Sequence, residues 1–169
     1  KLHMATRDVL IRAFMAGAIL ALAAVFAVTV GIQTGVPLIG ALLFPVGFCM
    51  LYLLGYDLLT GVFVLTPLAW LDKRPGVTWS RILKNWGLGF LGNFAGCLTV
   101  AVLMAAVYTM GFAAEPNAVG VKIAHIGEDR TLGYAEYGLA GWITIFIRGM
   151  LCNWMVSLGV IGAMMSTTV

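Results

Sequence analysis

Charge is what this sequence has least of. Asp, Glu, Lys and Arg together make up 10% of its 169 residues, where soluble domains carry about 25%. Seven acidic and ten Lys/Arg side chains cannot hydrate a globule of this size, and that excludes a soluble fold. Apolar residues reach 62% and mean hydropathy is +1.01, so disorder, which needs low hydrophobicity, is excluded as well. Cysteine is confined to Cys49, Cys97 and Cys152, an odd number lying inside apolar runs with no CxxC pair. Neither a disulfide scaffold nor a thiolate metal site is implied. Histidine occurs only as His3 and His125. The net charge of +3 is not a nucleic-acid footprint, because the basic residues sit between apolar runs, where they report topology. What remains is an all-α polytopic membrane protein.

The apolar runs divide the chain. Residues 1–12 set Leu2, Met4, Val9 and Leu10 against Lys1, Arg7, Asp8 and Arg12 and read as an interfacial lead-in helix. No small-residue cleavage site follows a short apolar core, so a cleaved signal peptide is not expected. Ala13 to Tyr56 carries no charge. As one helix it would be about 66 Å long, twice a bilayer core of roughly 30 Å. It must fold back, and Gly31, Gln33, Thr34, Gly35 and Pro37 supply the place. The first span is therefore about 13–32 and the second 37–71. The second would itself be about 52 Å long, and it holds Gly55-Tyr56-Asp57-Leu58-Leu59-Thr60-Gly61. Broken backbone at membrane depth is tolerated only where it is packed in protein or lines a watery path. Asp72 to Gly76 is a polar turn, 77–85 a short amphipathic helix, and 86–110 a third span with Gly92 and Gly96 spaced for close helix approach. After the polar stretch 115–136, a fourth span covers about 138–165 and contains Arg148 and Asn153.

Two motifs resemble the formate/nitrite transporter family. Gly55-Tyr56-Asp57-Leu58-Leu59-Thr60-Gly61 is similar to that family's break in span two. Arg148-Gly149-Met150-Leu151-Cys152-Asn153-Trp154-Met155-Val156 is similar to its span-four run, and Lys84-Asn85-Trp86 with Gly92-Asn93 matches the start of span three. The resemblance implies an aquaporin-like bundle, an inverted repeat of three spans, assembled as a homopentamer with one pore per protomer. An echo of Phe14-Met15-Ala16-Gly17 in Phe146-Ile147-Arg148-Gly149 fits such a repeat. Only about four of six spans are present, so the native chain is expected to continue for roughly 80–100 residues beyond Val169 and to carry there the family's pore histidine. The implied function is passage of small monovalent anions such as formate or nitrite, with bicarbonate and other monocarboxylates as further candidates and with possible proton coupling. The resemblance implies no enzymatic activity and no cofactor, and the implied location is the bacterial inner membrane.

Carried over residue by residue, the resemblance puts Phe44 and Phe48 at an outer constriction and Leu58, Leu59 and Val156 at an inner one. Thr60 and Asn153 stand between them as hydrogen-bonding groups. Asp57 is either a pore-loop carboxylate or a cap for the neighbouring helix end. Lys84, Asn85, Asn93 and Arg148 are expected in structural or vestibule roles, with Arg148 snorkelling outward or pairing with an acid such as Glu136. Tyr56, Leu59 and Ser157 depart from the family pattern, and Tyr137 occupies the position of a vestibule lysine, a role open to Lys122. Two other classes were weighed. A water or neutral-solute pore of aquaporin type needs two Asn-Pro-Ala repeats, but Asn153 precedes Trp154 and Asn117 follows Pro116. A membrane-anchor subunit holding haem needs paired histidines within spans.

Lys1, Arg7, Arg12, Lys73, Arg74, Arg81 and Lys84 fall on one side of these spans, against Lys122 and Arg130 on the other. The positive-inside rule then places both ends of the segment in the cytoplasm and 112–136 outside. Single cysteines placed within 115–130 should react with an impermeant thiol reagent on intact cells, and cysteines within 72–80 should not. External labelling of the second set would overturn this orientation.

Overall fold

Helix is the only regular structure among residues 4–166, which the computed structural model describes. α1 (Thr6–Thr34) is an unbroken run of helix-compatible residues that ends at Gly35, whose φ of 68° lets its N–H turn back to the Ile32 carbonyl. The lead-in helix expected over residues 1–12 is therefore not a separate element. Nothing at Arg12 breaks the helix, and both stretches share one axis; Lys1, Leu2 and His3 lie outside the described residues. Proline sets the next boundaries. Pro37 begins α2 (Pro37–Leu43), where its missing N–H is harmless. Pro45 separates α2 from α3 (Val46–Leu54). The chain resumes as α4 (Leu59–Leu71) after the break.

α5 (Trp79–Tyr108) starts at Thr78, whose side chain accepts the Arg81 N–H. The amphipathic segment expected over 77–85 and the third span are thus a single helix. The polar stretch that follows is more structured than its composition suggests. It contains α6 (Ala118–Asp129), capped by Asn117 accepting from Gly120 N–H, and a 3-10 turn over Leu132–Tyr137. α7 (Gly138–Met165) closes the described chain. Among the described residues four helical segments are long and apolar enough to cross a membrane, as an integral membrane protein requires.

α1 is the axis of the assembly, and glycine is why its neighbours can approach it. Lipid tails are as apolar as leucine, so helices in a bilayer associate through close packing rather than hydrophobic exclusion. A Cβ on Gly96 would overlap the Phe14 carbonyl oxygen, and one on Gly17 would overlap that of Asn93. A Cβ on Gly92 would lie 2.5 Å from the Ala13 Cβ. α5 therefore lies against α1 and runs parallel to it. On another side α1 meets α2 and α3 antiparallel, with Gly40 against Ala27 and Gly47 against Ala23. Ala13 and Ala16 are fully enclosed in this seam. α7 sits at the edge, against α4 and the 3-10 turn.

This packing makes a discriminating pair of substitutions. Gly96→Ala places a methyl group in a main-chain atom that no rotamer change can move, and it should destabilise the protein by about 3 kcal/mol. Gly87→Ala, at a position where a Cβ meets nothing within 4 Å, should be neutral or stabilising by up to about 1 kcal/mol. Thermal unfolding of the detergent-solubilised proteins measures the difference, and equal behaviour of the two would contradict the close α1–α5 crossing.

Candidate functional site

The break between α3 and α4 creates a hydrogen-bonding problem at membrane depth. α3 solves part of it locally. Gly55, at φ 69°, donates to the Tyr52 carbonyl at 3.1 Å, and Tyr56 donates to that of Leu51 at 3.0 Å. That paired closure needs a residue free to adopt positive φ. On the α4 side, the Leu58 carbonyl accepts from Gly61 and Val62 N–H, both at 3.1 Å. The Gly55 and Asp57 carbonyls and the Leu59 N–H are not reached by this local pairing, and each would cost several kcal/mol if left bare in lipid.

Two side chains from other helices satisfy them. Arg12 of α1 donates from Nη1 to the Gly55 carbonyl at 3.0 Å, bringing a cation to the carbonyl end of α3, where it suits the helix dipole. Asn93 of α5 does more. Its Nδ2 donates to the Asp57 carbonyl at 3.0 Å and to the Ala13 carbonyl of α1 at 2.7 Å. Its Oδ1 accepts the Leu59 N–H at 2.8 Å. One carboxamide thus ties the break to both α1 and α5. At the start of α4 the Leu59 N–H is capped by Asn93. Asp57 itself is buried, only 3% exposed.

The other expected site residues are spread from the end of α2 to α7. Thr60 follows directly in the first turn of α4, and its Oγ1 is shielded from solvent with no hydrogen-bond partner. Leu58 and Leu59 are half-buried at the break. The Leu59 side chain lies against α5, 3.3 Å from where a Cβ on Gly89 would stand. Phe44 and Phe48 meet edge to face, with ring centroids 5.5 Å apart. Val156 is half-buried on α7, which touches α4 where Val160 faces Gly61. Asn153 is exposed and donates to the Gly149 carbonyl of its own helix at 2.8 Å. Asn85 is buried with an unpartnered Oδ1, and Lys84 is exposed.

Arg148 was expected to snorkel outward or to pair with an acid such as Glu136; it is exposed, and its guanidinium bonds the Tyr134 hydroxyl and lies 5.8 Å from that ring's centroid. The 3-10 turn carries Tyr134 back over α7, which brings the phenol rather than the carboxylate to the arginine. Two contacts were not foreseen. Arg12 looked like one of several basic residues at an interface, and only the carbonyl orphaned by Gly55 marks its role. Trp86 of α5 donates from Nε1 to the Thr66 hydroxyl of α4 at 2.9 Å and stacks edge to face with Phe63. It holds α4 to α5 away from the break. Among the described residues no cluster of His, Cys, Asp and Glu could hold a metal ion.

Comparison with known proteins agrees with this arrangement. The whole chain, residues 1–169, matches the formate/nitrite transporter family. A probable formate transporter of Methanothermobacter thermautotrophicus is 32% identical over 167 residues, covering 90% of this chain and 59% of that protein. The formate channel FocA of Haemophilus influenzae is 33% identical over 153 residues, covering 86% of this chain and 49% of its own length. An uncharacterised transporter of Bacillus subtilis, YwcJ, is 32% identical over 119 residues. The chain spans about half the length of the relatives it matches. No solved structure matches it. A family match over every residue, with a helix broken at the motif that carries the resemblance, makes this chain a member of the formate/nitrite transporter family.

Proposed function

We propose that this chain forms part of a transmembrane path for small monovalent anions, formate or nitrite in the first place, and that the path runs past the break between α3 and α4. The observation that carries this reading is the Thr60 hydroxyl, a buried donor without a partner beside the break that Asn93 holds. A lone hydroxyl in a bilayer protein is costly unless something visits it. The names of the relatives support formate as the permeant. The half-helix geometry supports an anion, because the N-terminal, positive end of α4 opens at the break, while Arg12 covers the carbonyl end of α3.

A bare monovalent ion in low dielectric costs on the order of 20 kcal/mol. Thr60 and Asn153 are neutral hydrogen-bonding groups, and the flanking Phe44, Phe48, Leu58, Leu59 and Val156 are apolar. Such a path suits a species that crosses nearly neutral. The anion is drawn in by a positive vestibule, held at Thr60 and Asn153, and passes the constrictions with its charge offset by a proton. Leu59 acts from behind, wedged on α5, and Leu58 stands at the constriction. The wider architecture belongs to the same proposal: an aquaporin-like inverted repeat, a homopentamer with one pore in each protomer, and an inner-membrane location with both ends of this segment cytoplasmic. The broad uncovered face of α7, with Trp142, Phe146 and Met155 exposed, fits a helix that meets lipid or further helices.

Uptake of labelled formate by liposomes holding the complete gene product tests the reading. Flux should rise as external pH falls from 8 to 5. Thr60→Val should slow formate about fivefold to tenfold, the worth of one hydrogen bond, without loss of expression. Phe48→Ala should relax selectivity toward larger monocarboxylates such as lactate. Flux flat with pH together with normal transport by Thr60→Val would overturn the mechanism.

A further inference from the structure

Asn93 was singled out in the sequence only as part of a motif, and the proposed path does not use it as a contact for the permeant. Its geometry nevertheless exceeds what helix packing requires. The carboxamide grips the chain on both sides of Leu58, donating to the Asp57 carbonyl at 3.0 Å and accepting from the Leu59 N–H at 2.8 Å. It pairs with the break much as a neighbouring strand would. The second Nδ2 hydrogen goes to the Ala13 carbonyl at 2.7 Å. Three of the four hydrogen bonds an asparagine side chain can make are therefore occupied. The group cannot turn over or swing away without losing all three.

Its base is as constrained as its tip. Gly92 stands beside it, Gly96 one turn further along α5, and Gly17 of α1 approaches the Asn93 carbonyl so closely that a Cβ there would overlap it. Asn93 thus projects from the tightest point of the α1–α5 crossing. Any shift of its side chain is transmitted to Leu59 N–H and so to Thr60, the next residue of the same helical turn. Discrimination between formate and a larger monocarboxylate is a matter of methyl-sized differences, which a fitted site exploits by about tenfold or more each. A break free to move would lose that discrimination while still passing solute.

We propose that Asn93 is the positioning residue for selectivity: its carboxamide fixes Leu58, Leu59 and Thr60 against α1 and α5 and so sets the size of permeant the path accepts. This rests on the proposed anion path and adds to it the residue that controls the dimensions of the path. Asn93 acts through the break and does not itself touch the permeant.

The complete gene product in liposomes provides two independent measurements. The first is the ratio of formate to lactate flux in wild type, Asn93→Ala, Thr60→Val and the double variant. Asn93→Ala should lower the ratio about tenfold, chiefly by admitting lactate. Thr60→Val should change formate flux less than about twofold in the Asn93→Ala background, because residues acting through one another are not additive. Asn93→Asp keeps the shape but turns oxygen lone pairs toward the Ala13 and Asp57 carbonyls, and it should behave like Asn93→Ala. The second measurement is amide hydrogen exchange over 55–62, which needs no transport. Wild type should show strong protection at Leu59, and Asn93→Ala should exchange at least about tenfold faster there with 97–108 unchanged. A retained flux ratio, multiplicative effects of the two substitutions, or a freely exchanging Leu59 in wild type would each overturn the proposal. Absence of formate flux in wild type would instead remove the proposed function, and the exchange data would still decide whether Asn93 holds the break. If Asn93→Ala fails to assemble, protection of Leu59 in wild type and the Asn93→Asp ratio decide the matter.

Discussion

A helix interrupted inside a bilayer must find protein partners for the main-chain groups it exposes, and the rest of this structure follows from that requirement. Water is not available to take them, and each unsatisfied group costs several kcal/mol. The break after Leu54 leaves the Gly55 and Asp57 carbonyls and the Leu59 N–H to be met from other helices. Arg12 and Asn93 reach them only because α1 and α5 lie against the broken segment at the right height. That closeness rests in turn on Gly17, Gly92 and Gly96, where side chains would collide with main-chain atoms. A glycine seam between two intact helices is thus what allows a third helix to be broken.

Much of this was legible in the sequence, and the boundary of legibility has physical causes. An uncharged run twice the bilayer thickness has to turn, and Gly35 with Pro37 marks where. Gly55 and Gly61 flanking a carboxylate in an apolar run mark the interruption, since no continuous helix places them there at low cost. The continuity of α1 was not legible. Arg7, Asp8 and Arg12 give residues 1–12 an amphipathic look, and only packing shows that the same axis carries on. α6 was hidden by the polarity of its stretch, although Asn117 is a recognisable cap.

The site was legible in its members and not in its wiring. Motif register draws attention to Asn93 and Arg148, but composition says nothing about which atoms they reach. Arg12 and Gly55 are far apart along the chain, and their bond exists because antiparallel packing of α3 on α1 brings the arginine to an orphaned carbonyl. Arg148 shows the opposite case. Charge pairing favours Glu136, yet the 3-10 turn presents Tyr134, whose hydroxyl and ring both suit a guanidinium. Long-range partners are decided by backbone path before charge is consulted.

The arrangement of the break also bears on the sign of what it can host. The two half-helices point their opposite ends into the same gap. The carbonyl end of α3 is closed by Gly55 and Tyr56 N–H groups and by the Arg12 cation, which leaves little negative potential to attract a cation. At the amide end of α4 Asn93 takes the Leu59 N–H, and Thr60 adds a shielded hydroxyl that no protein group occupies. Had the same break been capped in reverse, with the cation at α4 and free carbonyls at α3, it would favour cations. In the proposed path, closure of the carbonyl end by a cation, more than any count of charged residues, is what favours an anion over a cation. On that proposal a chain with so little charge acts on its solute through oriented peptide groups and the one arginine beside them, whose field the bilayer leaves unscreened.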